Sequence, residues 1–187
     1  MDSIYDFLKY YIPEKDVPEL AKGFSTRKNI AKNELLLAPG ISCDFLGFII
    51  KGLFRVYFYD YEGKEITVWF SLEGMVITDM LAFYSDTKAQ FYVQAIEDSE
   101  IIIITKEKLE SLYAHYPSLI EFGRKFAEEA IVMLMERTLT LQTKTAEDRY
   151  KDLLEQPELL QRIPLKHLAT YLGITDTSLS RIRRNIK

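Results

Sequence analysis

Gly173 divides residues 163–187 into two runs of helical spacing, and that division restricts what the C-terminal end can fold into more tightly than any other feature of the chain. The first run should begin at Pro164, whose fixed φ suits a first helical position and whose missing N–H has no partner there in any case. Leu165, Leu168, Ala169 and Leu172 fall on one face, with Ala169 small where two helices cross closely. Gly173 can take the positive φ that turns the chain sharply, and Thr175 is a good N-cap for the second run. Leu179, Ile182 and Ile186, at i, i+3 and i+7, pin that second helix inward, which leaves Thr177, Ser180, Arg181 and Arg184 facing outward. The spacing is that of a helix-turn-helix, whose second helix can enter the major groove of double-stranded DNA. An ordinary pair of amphipathic helices fits the same leucines and glycine.

Charge favours the first of these readings. Residues 146–187 hold eight Lys/Arg against six Asp/Glu, so this segment is about +2 while the whole chain is −4. Arg181, Arg183, Arg184 and Lys187 make the last seven residues +4. A pI near 5.4 argues against indiscriminate coating of nucleic acid, whereas a basic end on an acidic body fits docking through one surface. A solvated basic tail gives the same count.

With 187 residues and 48% hydrophobic content, the chain can bury a substantial core. Its first residues lack a basic n-region and an uninterrupted apolar h-region, and no stretch approaches 18 charge-free apolar residues. The expectation is a soluble, cytoplasmic protein with no membrane partner. One cysteine, Cys43, excludes an intrachain disulfide and any multi-cysteine metal centre. His115 and His167 have no metal-like spacing and read as structural or exposed. No Gly-rich phosphate loop, nucleophile elbow or HExxH pattern is present, so no metal or cofactor is expected.

Residues 2–11 and 17–24 have short helical character, after which residues 29–104 change to strands and turns. Strands are expected at 34–38, 45–50, 53–59, 65–70, 91–96 and 100–104, separated by Pro39-Gly40, Lys51-Gly52, Glu62-Gly63 and Glu73-Gly74. That rhythm suggests a small antiparallel barrel or sandwich. Phe54, Val56 and Phe58 alternate with Arg55, Tyr57 and Tyr59, giving one apolar and one amphipathic face. Ile101 to Ile104 shows no alternation and reads as a strand buried on both faces, though a short apolar run also fits a helix.

Residues 106–115 read as a short helix stopped before Pro117. The longest helix follows, from Ser118 to about Thr143, with two apolar stripes. One runs through Leu119, Phe122, Phe126 and Met133 and can bury itself against the strand domain. The other, through Ile120, Gly123, Ala127, Ala130, Leu134 and Leu141, has small residues that permit close approach, and a symmetric copy is the economical partner. A helix buried wholly within one subunit is the alternative to a homodimer. Thr145 is a cap or hinge before a supporting helix at residues 146–155.

The order β-barrel, long helix, helix-turn-helix resembles the Crp/Fnr family of bacterial transcription regulators, named for the cyclic AMP receptor protein. Ala38-Pro-Gly40, Ile50-Lys-Gly-Leu-Phe-Arg55 and Tyr61-Glu-Gly-Lys-Glu65 resemble its turns and its G-x-x-R hairpin, and Leu172 to Arg183 is the most specific match. The resemblance implies an α+β fold with three parts. Residues 1–116 would form a cyclic-nucleotide-binding-like jelly roll, 117–145 the dimerisation helix and hinge, and 146–187 the DNA-binding domain. The sequence stops after the second helix without the strand pair that many members add as a wing, and its acidic, aromatic composition is similar to that of shorter regulators of the Bacteroidetes group.

The family's phosphate-binding cassette should fall between Phe70 and Val93. Where cyclic-nucleotide binders carry Gly-Glu for the ribose and Arg-Ser for the phosphate, this chain has Thr78-Asp79 and Ala89-Gln90, with Lys88 the nearby cation. Cyclic AMP is therefore not the expected effector, and Phe83, Tyr84, Phe91 and Tyr92 make either a more apolar pocket or core.

The resemblance implies a homodimeric regulator with Thr177, Ser180, Arg181 and Arg184 nearest the base edges and Lys166, Thr175 and Ser178 on phosphates. Asp176 could accept from a cytosine amino group or simply favour the helix N-terminus. RNA polymerase is a further implied partner, and the effector is left open. A small-molecule sensor acting through a protein partner, with a vestigial helix-turn-helix, is the rival. An enzyme is disfavoured because nothing in the sequence around Asp79 and Glu97, the carboxylates near the supposed pocket, suggests acid–base work.

Overall fold

The computed structural model describes residues 4–186. Asp2 and Ser3, where the first helix is expected to start, and Lys187 of the basic end lie outside the described residues. The chain forms two compact units, one of Met1–Val56 and Phe70–Glu129 and the other of Tyr57–Trp69 and Ala130–Lys187.

Helices α1 (Ile4–Tyr11) and α2 (Val17–Gly23) precede eight strands: β1 (Thr26–Ile30), β2 (Leu35–Leu37), β3 (Phe45–Lys51), β4 (Phe54–Tyr59), β5 (Glu65–Ser71), β6 (Val76–Ile77), β7 (Tyr92–Ala95) and β8 (Ser99–Thr105). A short helix, α3 (Met80–Ser85), interrupts the strands before β7. They make two four-stranded sheets, ordered β1-β8-β3-β6 and β2-β7-β4-β5. The expected barrel or sandwich is thus observed as two sheets. β8 lies between β1 and β3, with Ile101 opposite both Lys28 and Ile49. A strand paired on both edges and covered on both faces has no use for polar alternation, and Ile101 and Ile104 are fully buried.

β4 corrects the expectation of an amphipathic face. Arg55 is fully buried and Tyr57 buried, alongside Phe54 and Val56, so both faces are covered there and only Tyr59 is exposed. The preceding turn depends on Gly52, at φ 113°, whose absent Cβ would lie 2.0 Å from Ser99 Oγ. No L side chain fits that site.

Four rings pack α1 within the first unit. The Phe7 ring lies 5.1 Å from Phe48 and 6.2 Å from Phe122, and Tyr11 lies 5.5 Å from Phe122. Helix α4 (Lys106–His115) ends before Pro117, as the sequence predicts, and α5 (Ile120–Thr143) follows. Phe122 is buried as expected. Within the chain, a Cβ on Gly123 would meet the Tyr113 hydroxyl at 2.5 Å. Met133, assigned by spacing to the inward stripe, is exposed together with Ile131, Val132, Leu134 and Met135. Periodicity locates an apolar face but cannot say where along a long helix its covering ends.

Helices α6 (Ala146–Leu154), α7 (Pro157–Arg162), α8 (Leu165–Tyr171) and α9 (Asp176–Asn185) complete the second unit. Thr145 caps α6, accepting from Asp148 N at 3.2 Å. Helix α8 begins one residue later than expected, because Pro164 has an extended ψ of 141° and stands at its N-cap.

Candidate nucleic-acid interface and ligand pocket

Helices α8 and α9 meet at a four-residue turn in which Gly173 takes φ 70°. Leu168, Ala169 and Leu172 bury one face of α8, and Leu179 anchors α9. Thr175 caps α9 as expected, its hydroxyl accepting from Ser178 N at 3.3 Å and lying 3.0 Å from the hydroxyls of both Thr177 and Ser178. Asp176 stands in the first turn, where its charge complements the exposed N–H groups. Thr177, Ser180, Arg181 and Arg184 are exposed, as are Lys166, Thr175 and Asp176, and Ser178 is half-buried.

The second unit also contains the tip of the β4–β5 hairpin, a neighbour that the sequence does not announce. The Thr67 and Thr170 hydroxyls are 2.6 Å apart, both residues being buried. Glu65 lies 3.6 Å from Lys166 Nζ and 3.9 Å from His167 Nδ1. A cleft of about 510 Å³ opens beside this contact, lined among others by Lys64, Glu65, Lys166, Thr175, Asp176 and Thr177.

Two arginines, absent from the sequence-predicted set, hold the C-terminal end of α8. Arg149 Nη2 donates to Leu172 O at 2.7 Å, while its Nη1 donates to Lys144 O at 2.6 Å and Leu141 O at 3.3 Å. The Arg137 guanidinium stacks 3.7 Å from the Tyr171 ring centroid and donates to Tyr171 O. Burial pulls the Arg137 pKa below the usual guanidinium range. Their partners are backbone carbonyls, which leave no signature in a sequence.

The ligand-pocket candidates gather around Asp79, which is 1% exposed. Its Oδ1 accepts from Ala82 N at 3.1 Å, capping α3, and its Oδ2 accepts from Gln90 N at 2.9 Å and Phe91 N at 3.2 Å. Thr78 is buried and donates to Phe45 O at 2.8 Å. Ala89 is tied through both backbone groups, donating to Ile41 O at 2.8 Å and accepting from Gly40 N at 2.9 Å. The exposed Lys88 donates to Ser42 Oγ at 2.8 Å. Cys43 lies 3.0 Å from the Thr78 hydroxyl, and burial pushes its thiol pKa up. His115 is exposed, with Nδ1 2.7 Å from Ser111 O. Among the described residues, no group of three His, Cys, Asp or Glu could hold a metal, and no helix is long and apolar enough to cross a membrane.

Residues 27–116 match the cyclic nucleotide-binding domain family. The Anaerobic regulatory protein of Bacillus subtilis (strain 168) is 25% identical over 95 residues, which are 51% of this chain and 40% of that protein, so the match spans about two fifths of the relative's length. The structure of FixK2 from Bradyrhizobium japonicum superposes with a TM-score of 0.75 at 18% identity, covering 86% of this chain and 83% of that one. A crp/fnr family transcriptional regulator from Eubacterium rectale gives 0.73 at 16% identity, with 95% and 87% covered. CooA from Carboxydothermus hydrogenoformans gives 0.69 at 19% identity, with 90% and 78% covered. A strand-rich domain similar to the cyclic nucleotide-binding domain family, followed by a long helix and short C-terminal helices, is the fold that this chain has in common with these structures.

Proposed function

We propose that the protein is a homodimeric, sequence-specific DNA-binding transcription regulator with α9 as its reading helix. The observation that carries this reading is the division of α9 into two sides. Leu179 is fully buried while Thr177, Ser180, Arg181 and Arg184 are exposed on a helix capped by Thr175. An anchored helix with an arginine-bearing outer face fits the major groove, where an arginine can pair with guanine through two hydrogen bonds. Lys166, Thr175 and Ser178 would meet phosphates, and Asp176 would favour the helix start. The related proteins named as regulators support the same reading.

Residues 117–145 serve as the dimerisation helix, 1–116 as a sensor-like domain and 146–187 as the DNA-binding domain. Support for the dimer comes from Ile131, Val132, Leu134, Met135 and Leu139, each more than half exposed on α5. A run of large apolar side chains in water asks for a covering surface. Residues 78–90 are read as a region that does not take cyclic AMP, because Asp79 already accepts the Gln90 and Phe91 N–H groups and no Arg-Ser pair is present. A regulator of this kind would work in the cytoplasm, with RNA polymerase as a downstream partner.

Arg181→Ala tests the reading. On the preferred DNA site it should cost about 1–3 kcal/mol, with a much smaller loss on random DNA of equal length. Equal loss on both would remove Arg181 from the base-reading role.

A further inference from the structure

We infer that Arg149 is a positioning residue that ties the attitude of the reading helix to the end of the long helix, and so sets which half-site spacing the protein accepts. The inference rests on the proposed DNA-binding dimer. It adds to that reading a mechanical connection made by one side chain.

The guanidinium of Arg149 spans two helix ends. Nη1 takes Leu141 O and Lys144 O, at and just beyond the last turn of α5, and Nη2 takes Leu172 O, directly after α8. Carbonyls at helix C-termini have no partners within their own helices and carry the negative end of the helix dipole, so a cation suits both ends at once. Leu172 is followed immediately by Gly173 at φ 70°, and Thr175 then caps α9. The N-cap of the reading helix therefore stands three residues after a carbonyl that Arg149 fastens to the end of α5.

Arg137 makes a second attachment from within α5, through Tyr171 O and the Tyr171 ring. Adjacent carbonyls, Tyr171 O and Leu172 O, are thus each held by a guanidinium, one rooted in α5 and the other in α6. A planar fork fixes direction as well as distance, whereas an ammonium on a flexible stem fixes only distance. When two α5 helices pair, the separation and angle of the two α9 helices pass through these attachments. Lengthening or shortening the centre of an operator by one base pair moves one half-site by about 3.4 Å and turns it by about 35°. A rigid joint rejects that change and a loosened one tolerates it.

The test compares the unmodified protein with Arg149→Lys and Arg137→Lys on three DNAs: the operator selected by the unmodified protein, the same operator with one base pair added or removed at its centre, and an isolated half-site. Dimer mass is followed by light scattering and folding by the thermal midpoint. The unmodified protein should lose about tenfold or more on the respaced operators, a loss of the size of one or more good contacts. Arg149→Lys should keep the dimer mass and half-site affinity while its preference between spacings falls to about threefold or less.

Full spacing preference in Arg149→Lys would overturn the inference and leave the DNA-binding reading intact. Equal loss on half-site and operator, with a lowered midpoint, would also overturn it, by showing a role in stability alone. If Arg149→Lys fails to fold, Arg137→Lys decides by the same criteria at the neighbouring carbonyl. An unmodified protein that binds none of the DNAs would overturn the proposed function itself and the inference with it.

Discussion

Thr67 on β5 and Thr170 on α8 place their hydroxyl oxygens 2.6 Å apart in a buried contact across 103 residues of chain. Because the Thr170 hydroxyl also donates to His167 O at 2.9 Å, its proton is already committed and Thr67 is the donor of the pair. Thr170→Val removes the acceptor for Thr67 and the donor to His167 O together. It should therefore cost about 1–3 kcal/mol, more than Thr67→Val, and the double valine variant should recover part of the loss. Trp69, the chain's one tryptophan and two residues from Thr67, reports the transition by fluorescence in a urea titration. Equal stability of the two single variants would contradict the donor assignment.

Glu65 faces Lys166 at 3.6 Å on the side of α8 proposed to meet phosphate. Lys166 is 63% exposed and Glu65 19%, so the pair itself contributes little. A DNA phosphate reaching Lys166 would have to displace the Glu65 carboxylate from it. Glu65→Gln should strengthen DNA binding about two- to fivefold at fixed low salt, by fluorescence anisotropy. Unchanged or weaker binding would show that the hairpin does not compete with DNA.

Leu134 is 56% exposed in the single chain, so a charge there leaves the fold of one protomer undisturbed. In a helix pair the same charge would be buried without a partner at a cost of several kcal/mol. Leu134→Glu should keep its circular dichroism and reduce the mass by light scattering from about twice 21.8 kDa to 21.8 kDa. A monomeric mass for the unmodified protein would contradict the dimer.

Asp79 accepts three backbone N–H groups while 1% exposed. Asp79→Asn turns one acceptor oxygen into a donor facing donors and should destabilise the protein by about 1–3 kcal/mol. Cyclic AMP and cyclic GMP should leave the thermal midpoint of the unmodified protein where it is. A midpoint raised by micromolar cyclic AMP would show that the loop at Gln90 and Phe91 opens to a phosphate after all.

Local spacing made much of this fold legible. Gly173, Thr175 and Leu179 mark the turn, cap and anchor of α9, and Ile101 to Ile104 marks the central strand. What escaped depends on distant partners. β1 reads as Thr-Arg-Lys-Asn-Ile, four of its five residues exposed, and is a strand because β8 pairs with it along its length. Helix α3 is six residues long and its cap, Asp79, is fixed partly by amides eleven and twelve residues away. The attachment of the hairpin to α8 requires Thr67 and Thr170 to meet, and the joint at Arg149 uses carbonyls that every residue possesses. Side-chain pattern predicts which faces are buried, and it is silent about which backbone groups a long side chain will find.

Selection of bound duplexes from a random DNA pool tests the central claim most directly. A two-fold dimer reading through α9 should enrich an inverted repeat with half-site centres about 34 Å apart, one helical turn, and Arg181→Ala should lose preference at one base pair in each half. A pool that emerges without any enriched sequence, or with a single unrepeated site bound by a monomer, would contradict it.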